Sequence, residues 1–240
     1  MRFTSLIKRW PLFFCVLAVL MVQPAQLSAW GFSVSGVRQE NFSQEISNIR
    51  VIPVILSADL NGDGKPECLE MYAERLQISD CHGKPLWQSP PEWQVKEAQI
   101  GDLNHDGKAE AILLVWRPFK PWPIDKFLPS GGRINTFHNQ AGLSCQVILI
   151  GWSRGAYNEV WAGSALIQPV TQLHAVDLDG DGWQELVTLE GKYDQNENRG
   201  VLTIWKWNGF GFTLEDQTRQ TFTHLLVVSS NQQIGMVVQK

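Results

Sequence analysis

The sequence predicts an all-β fold, a β-propeller-like array of about four four-stranded blades. An acidic phrase occurs three times, and short apolar runs flank every copy. Helical periodicity is scarce after the first thirty residues, because Gly or Pro interrupts each candidate apolar stripe. Repeated short strands between regular turns are typical of propeller blades. The pattern leaves open whether the blades close into a ring or form an open arc.

The acidic phrase occupies three loops, named here loop 1 (59–67), loop 2 (102–110) and loop 3 (177–185). Each copy has oxygen-bearing side chains at positions 1, 3, 5 and 9 and Gly at position 6. Ca²⁺ takes six to eight oxygen ligands, and a loop that alternates ligands with spacers can wrap them around one point. Asp, Asn and Gly also form solvated turns, which is the alternative interpretation. Three copies in the same register favour metal binding.

Apolar runs on both sides of each loop predict paired strands. The runs before the loops are 51–56, 98–100 and 173–176, and those after them are 68–72, 111–116 and 186–189. A second strand–turn–strand segment follows each time, at 76–87, 147–161 and 202–214. One unit is therefore four strands, with the acidic loop in its first hairpin.

The spacing of the loops also fits blades. Asp59 and Asp102 are 43 residues apart, which is the length of one four-stranded blade. The next interval, to Asp177, is 75 residues, so it holds a blade and an insertion. Segment 117–138 contains four prolines and is predicted to be that insertion, a loop.

A fourth, degenerate copy of the repeat is predicted in the last part of the sequence. Segment 223–238 keeps both apolar runs, but Ser229, Ser230 and Asn231 replace the acids, so we expect no metal there. Segment 32–50 is predicted to supply outer strands that complete this last unit.

These loops resemble the FG-GAP and VCBS repeat family, whose calcium-loop blades also form the head of integrin α chains. The family pattern Asp-x-Asp/Asn-x-Asp-Gly-x-x-Asp/Glu joins two strands of a blade and binds Ca²⁺, and the resemblance covers about residues 50–215. It implies up to three Ca²⁺ ions. The implied side-chain ligands are Asp59, Asn61, Asp63 and Glu67 in loop 1, Asp102, Asn104, Asp106 and Glu110 in loop 2, and Asp177, Asp179, Asp181 and Glu185 in loop 3. The implied carbonyl ligands, at position 7, are Lys65, Lys108 and Trp183.

An EF-hand is the competing calcium loop. It requires a bidentate acid at position 12 between two helices. Loop 1 offers Glu70 there, but the other loops offer Leu113 and Thr188. The flanks are strand-like, so an EF-hand is not predicted.

The N-terminus predicts export. Arg2, Lys8 and Arg9 precede an apolar stretch at 11–22 that is short for a membrane span, and a small-residue cleavage site ends at Ala29. We expect residues 1–29 to be a signal peptide and residues 30–240 to form the propeller-like domain, with no membrane span after cleavage. Retention as an anchor is the alternative. The expected location is periplasmic, extracellular or at the cell surface.

Charge and cysteines bound the function further. Without the signal, the number of Lys and Arg residues falls from 20 to 17, while Asp and Glu stay at 24, so the net charge is −7. Phosphate binding requires clusters of basic residues, and the sequence has none, so nucleic acid is not expected as a partner.

Cys68 and Cys81 flank a predicted hairpin and form either a disulfide or two buried thiols. Cys145 is predicted to be a lone buried thiol.

No catalytic residue can be nominated, because the sequence contains no nucleophile elbow, phosphate-binding loop or Cys/His metal pattern. The leading hypothesis is a non-enzymatic interaction or adhesion module that binds a protein or a surface glycan, with 117–138 as its variable element. The alternative is a subunit or member of an exported enzyme, such as a carbohydrate-active one, and a purely structural domain is the third hypothesis. Trp87, Trp161, Trp205 and Trp207 are predicted to pack between blades, while Trp116 and Trp122 are candidates for an exposed aromatic surface. His105, a spacer in loop 2, is expected to face solvent.

Overall fold

The computed structural model describes residues 27–33, 36–40, 50–120, 127, 137–194, 199–230 and 233–239. Most of the predicted signal peptide and most of the insertion lie outside these residues. The described residues form seventeen strands and no α-helix. Among them, no helix is long and apolar enough to cross a membrane.

The strands fall into four antiparallel sheets arranged as a four-bladed β-propeller, as the sequence predicts. Blade 1 contains β4 (Ser57–Ala58), β5 (Glu67–Tyr72), β6 (Arg75–Ser79) and β7 (Pro85–Gln88). Blade 2 contains β8 (Gln94–Gly101), β9 (Glu110–Pro118), β10 (Leu143–Ser153) and β11 (Ala156–Ala162). Blade 3 contains β12 (Val170–Val176), β13 (Glu185–Glu190), β14 (Gly200–Trp207) and β15 (Phe212–Phe222). In these blades each strand pairs with the next one along the chain.

Blade 4 combines both ends of the described chain. It contains β1 (Leu27–Ser33), β2 (Gly36–Glu40), β3 (Arg50–Val51), β16 (His224–Ser230) and β17 (Gln233–Gln239), in the order β2-β1-β17-β16-β3. Trp30 of β1 pairs with Met236 of the central strand β17, and Val51 of the edge strand β3 pairs with Val228 of β16. The segment before loop 1 therefore completes the last blade, as predicted, and closes the ring.

The predicted boundary of the mature domain falls inside this blade. Strand β1 begins at Leu27, so cleavage after Ala29 would leave the strand without its first three residues. The cleavage site itself stays a prediction.

The predicted strand at 51–56 is wrong in its extent. Only Arg50–Val51, in blade 4, and Ser57–Ala58, in blade 1, are strands, and Val51, Val54, Ile55 and Leu56 are exposed. Pro53 has no N–H to donate to a ladder, so it interrupts strand pairing at this point. The segment instead connects the last blade to the first, and the Ile52 amide donates to Val227 O over 2.9 Å.

The core lies between the blades, because a central blade buries both of its faces. On β9 the odd-numbered Ala111, Leu113 and Val115 pack toward blade 1, while Ile112 and Leu114 pack toward blade 3. This is the two-residue alternation of a strand with two apolar environments. A third cluster joins blades 3 and 4 around Phe222, Val227 and Met236.

Aromatic side chains seal the spaces between the blades. As predicted, Trp87 packs against the cluster between blades 1 and 2, and Trp161 and Trp205 pack against the one between blades 2 and 3. Trp116 is half-buried in that second cluster, with its ring 5.5 Å from Tyr193, so the expectation of an exposed Trp116 is wrong. Trp122 lies outside the described residues.

The cysteines follow one of the two arrangements that the sequence leaves open. Cys68 and Cys81 form a disulfide with an S–S distance of 2.05 Å. The hairpin between them turns at Ala73 and Glu74, which both have positive φ. Cys145 is a buried free thiol, as predicted.

Candidate metal loops

Each acidic loop connects the first two strands of a blade, where the sequence places it. Loop 1 joins β4 to β5, loop 2 joins β8 to β9 and loop 3 joins β12 to β13. The Gly at position 6 has positive φ in every copy, with values of 83° at Gly64, 82° at Gly107 and 90° at Gly182. A residue with a side chain is strained in this region of φ, which explains why Gly recurs at position 6 of all three loops.

The first Asp of each loop shapes the backbone. The Asp59 carboxylate accepts hydrogen bonds from the amides of Gly62 (2.7 Å) and Gly64 (2.8 Å). These amides, led by that of Gly64, lower the pKa of Asp59. Corresponding bonds reach Asp102 from Asp106 and Gly107, and Asp177 from Gly180 and Gly182. The three loops therefore share one backbone conformation.

The predicted carbonyl ligands occupy equivalent places in that conformation. The amides of Lys65, Lys108 and Trp183 each donate to the Asp at position 5, over 2.8, 2.9 and 2.8 Å. Their carbonyl groups as metal ligands stay a prediction.

The Glu at position 9 is buried in all three loops, and Glu67, Glu110 and Glu185 are 3%, 2% and 1% exposed. Each begins the second strand of its blade. In loops 1 and 3 the amide at position 2 donates to this carboxylate, from Leu60 to Glu67 over 2.7 Å and from Leu178 to Glu185 over 2.8 Å. Asn61 adds a 2.6 Å bond to Glu67.

Loop 2 leaves one of its carboxylate oxygens without a partner. Asn104 Nδ2 donates to Glu110 Oε1 over 3.2 Å, but the buried Oε2 has no hydrogen-bond partner in the described chain. Burial, and then the negative Asp106 and Asp102, raise the pKa of Glu110 to about 8. A divalent cation would supply the missing partner and offset the repulsion among these acids, so the residues of loop 2 fit such an ion.

Loop 3 brings its carboxylates closest together. Ligand atoms of Asp177, Asp179 and Glu185 lie within 4.8 Å of one another, an arrangement that can hold a metal ion. The ammonium of Lys206, on β14, contacts two of these three carboxylates and that of Asp181. Its Nζ is 2.7 Å from Asp179 Oδ2, 3.3 Å from Glu185 Oε1 and 3.8 Å from Asp181 Oδ2. The hydrogen bond to Asp179 is the main cause that raises the pKa of Lys206.

Sequence reasoning missed Lys206, although strand register contains the signal. Leu186 pairs with Trp205 across β13 and β14, so one further step along the hairpin places Lys206 opposite Glu185. The same step in blade 2 places Gly151 opposite Glu110, where a Cβ on the glycine would lie 3.1 Å from Glu110 Cγ. In blade 1 the equivalent residue is Asp80, whose carboxylate accepts bonds from the amides of its own turn.

Loops 2 and 3 contact each other across the gap between their blades. Gln184 Oε1 accepts a 2.9 Å bond from the amide of Asp102, and Gln184 O lies 3.2 Å from His105 Nε2. The rings of His105 and Trp183 are stacked at a tilt, with centroids 4.7 Å apart. The expectation that His105 faces solvent is therefore wrong, because the neighbouring blade covers it.

Cavities lie at both ends of the insertion. One of 450 Å³ is lined by Trp93, Arg117, Gln146 and Glu159 among others, with the Arg117 guanidinium 5.2 Å from the Trp93 ring centroid. A shallower one of 340 Å³ includes residues 138–140 and Tyr193. The insertion thus leaves and rejoins the propeller next to two concave surfaces.

The fold and the loops define a class, a four-bladed propeller with acidic loops at its strand bends. A comparison with models of known protein families finds no match, and no curated protein matches the chain. Membership of the FG-GAP and VCBS family therefore stays a prediction that rests on the loop pattern.

Proposed function

We propose that this protein is an exported, calcium-stabilised β-propeller that binds another macromolecule and does not catalyse a reaction. The observation that carries the proposal is the loop geometry. Three loops of one conformation each aim a buried Glu at the same position, and in loop 2 that Glu has an oxygen without a partner. Carboxylate, amide and carbonyl oxygens are the ligands that Ca²⁺ prefers.

The ion has a structural role in this proposal. Each loop joins two neighbouring strands of a blade, so a cation held there ties the strands together at their bend. An ion that binds only the folded state stabilises that state by mass action. Calcium modules outside the cell commonly bind at about 10⁻⁴ to 10⁻³ M, which suits an exported protein.

The macromolecular contact is assigned to the surface around the insertion. Its ends adjoin two cavities that combine aromatic, basic and carboxylate groups, Trp93, Arg117 and Glu159 in one and Tyr193, Lys192 and Asp194 in the other. Long loops on rigid scaffolds commonly carry recognition. The proposed partner is a protein or a surface glycan.

Calorimetric titration of the purified protein with Ca²⁺, with thermal melts in calcium and in chelator, tests the metal part. Saturable binding and a higher melting temperature in calcium are expected, and Mg²⁺ is expected to substitute poorly because it demands a smaller octahedral site. A variant that carries Asp59→Asn, Asp102→Asn and Asp177→Asn should lose both effects. Absence of binding by the unmodified protein would reduce the loops to solvated turns.

Deletion of residues 121–136 tests the recognition part. The deleted residues lie outside all seventeen described strands, so the variant should melt as the full protein does while it loses binding to cell-surface material. Unchanged binding would move the recognition surface elsewhere on the propeller.

A further inference from the structure

We infer that the ammonium of Lys206 is the resident cation of loop 3, so that Ca²⁺ fills loops 1 and 2 at concentrations that leave loop 3 metal-free. This inference rests on the proposed calcium function, and it changes the expected number of ions from three to two. It also makes Lys206 the residue that determines which copies of the repeat bind metal.

The contacts of Lys206 coincide with the ligand set. Its Nζ approaches side chains at positions 3, 5 and 9 of loop 3, namely Asp179, Asp181 and Glu185. A cation in this loop would need those same oxygens, because the Asp at position 1 also serves the loop amides. The ammonium and a metal ion therefore compete for one place.

The lysine is held in that place by the fold. Lys206 lies on β14, where its backbone pairs with Thr213, and β14 is hydrogen-bonded to the strand that Glu185 begins. Its ammonium is also 5.9 Å from the ring centroid of Phe32, on a strand of blade 4. An aromatic face attracts a cation at this distance. Lys206 is thus positioned by three strands and does not depend on the loop alone.

Calcium can enter loop 3 only after the lysine leaves. Displacement breaks the contacts with Asp179 and Glu185 before the ion gains them, and the apparent affinity of a site falls with the fraction of molecules in the binding-competent state. One ammonium also offsets part of the repulsion among the four acids of this loop, a repulsion that drives cation binding in the other loops.

Loops 1 and 2 have no such competitor among the residues that the structure describes. The residues that face their position-9 Glu are Asp80 and Gly151, and among the described ion pairs no Lys or Arg contacts loop 1 or loop 2. The motif with the most carboxylates is therefore the one predicted to bind calcium least. A ranking by sequence alone would give the opposite order.

The test compares calcium stoichiometry in Lys206→Gln and in the unmodified protein. We expect two ions in the unmodified protein and three in the variant, with a larger rise in melting temperature on adding calcium to the variant. Lys96→Gln is the matched control, because Lys96 also pairs with a carboxylate, Glu74, but away from the loops. It should leave the count at two. Lys206→Arg keeps the charge and should also leave it at two.

Asp177→Asn supplies a readout that does not depend on how well Lys206→Gln folds. In the unmodified background it should leave the calcium count at two, and in the Lys206→Gln background it should lower the count from three to two. Three ions in the unmodified protein, with loss of one on Asp177→Asn, would overturn the inference and leave the proposed function intact. Failure of both backgrounds to bind calcium would instead overturn the proposed function, and the inference with it.

Discussion

Loops 2 and 3 have the same backbone but opposite ways of compensating a buried carboxylate. Glu110 faces Gly151 and keeps an unpartnered oxygen, whereas Glu185 faces Lys206 and is bonded on both oxygens. The difference has two sources: the Lys206 ammonium on the neighbouring strand bonds Glu185 Oε1, and the Leu178 amide bonds Glu185 Oε2, whereas the described bonds of Glu110 include only the one from Asn104. The acidic motif therefore specifies a conformation, while the loop amides and the strand beside it together set how far the buried carboxylate is compensated without a cation.

Loop 1 lies between these extremes. Glu67 has hydrogen bonds from the Leu60 amide and from Asn61, so its carboxylate is satisfied without an ammonium. The next residue, Cys68, forms the disulfide that ties β5 to the turn after β6. Loop 1 is thus held by a covalent bond on its strand, and the proposed calcium ion would add to a structure that is already restrained.

The largest expected difference between loops 2 and 3 concerns calcium-linked stability. Asp102→Asn should lower the free energy of unfolding in calcium by about 3 kcal/mol, the mass-action contribution of an ion present at about a hundred times its dissociation constant. Asp177→Asn should leave the calcium-dependent part unchanged, because Lys206 already occupies loop 3. Denaturant titrations in calcium and in chelator measure both values.

If Asp102→Asn and Asp177→Asn lost equal amounts of calcium-dependent stability, the expected difference between loops 2 and 3 would be wrong. Asp216→Asn serves as a control for removing an acid elsewhere, since Asp216 lies on β15, outside the loops. It should not alter the difference between calcium and chelator.

A second difference concerns pH. In chelator, Glu110 keeps its proton up to a pKa of about 8 in the folded state, while the unfolded chain loses it near 4.5. Between these values the folded state binds more protons, so the free energy of unfolding falls as pH rises and levels off above pH 8. We expect the free energy of unfolding to fall by about 2 kcal/mol. This is less than the full difference between the folded and unfolded pKa values would give, because solvent screens the nearby exposed acids.

Glu110→Gln should remove this pH dependence and stabilise the calcium-free protein at pH 8. Thermal melts in chelator from pH 4.5 to 8.5 measure the slope. Glu185→Gln is the matched variant for loop 3. Burial raises the pKa of Glu185 as well, but the Leu178 amide and Lys206 oppose that rise, so this variant should reduce the slope less than Glu110→Gln does, while it destabilises the protein by depriving Lys206 of a partner. A slope that persists in Glu110→Gln would assign it to another group, such as the half-buried Glu97.

The smallest expected effect concerns the contact between the two loops. Gln184→Ala removes the bond to the Asp102 amide and should cost about 1 kcal/mol, the usual contribution of one hydrogen bond. Because that bond orients the first ligand of loop 2, calcium affinity at loop 2 should fall as well. Calorimetry checks the affinity, and Gln217→Ala, at an amide side chain on β15, is the control.

The fold could be predicted largely from sequence because its information is local. Two apolar runs and a Gly-containing acidic bend fix each first hairpin, and the interval of 43 residues fixes the blade. The segment 51–56 shows the limit of this reasoning. Its apolar composition indicates a strand, but Pro53 and its position between two blades make it a connection.

The candidate site could be predicted less completely, because compensation of charge depends on neighbours in space. Lys206 follows Glu185 by 21 positions and reaches it only through the pairing of β13 with β14. His105 and Trp183 belong to different blades, and their contact depends on how the blades pack. Spacing along the chain predicts the candidate ligands, whereas the register of the hairpin reveals the proposed competitor, Lys206.

Blade 4 has a consequence for the order in which the protein folds. Strand β1 hydrogen-bonds to β17, so β1 cannot complete its pairing until a segment far along the chain is present. Contacts between such distant segments carry a high loop-closure entropy and slow the folding of all-β domains. Blades 1 to 3 precede β17 along the chain, so they can form before the ring closes. Strand β17 thus completes the cooperative unit, and a chain that loses β17 would expose two unpaired edges, on β1 and β16, to aggregation.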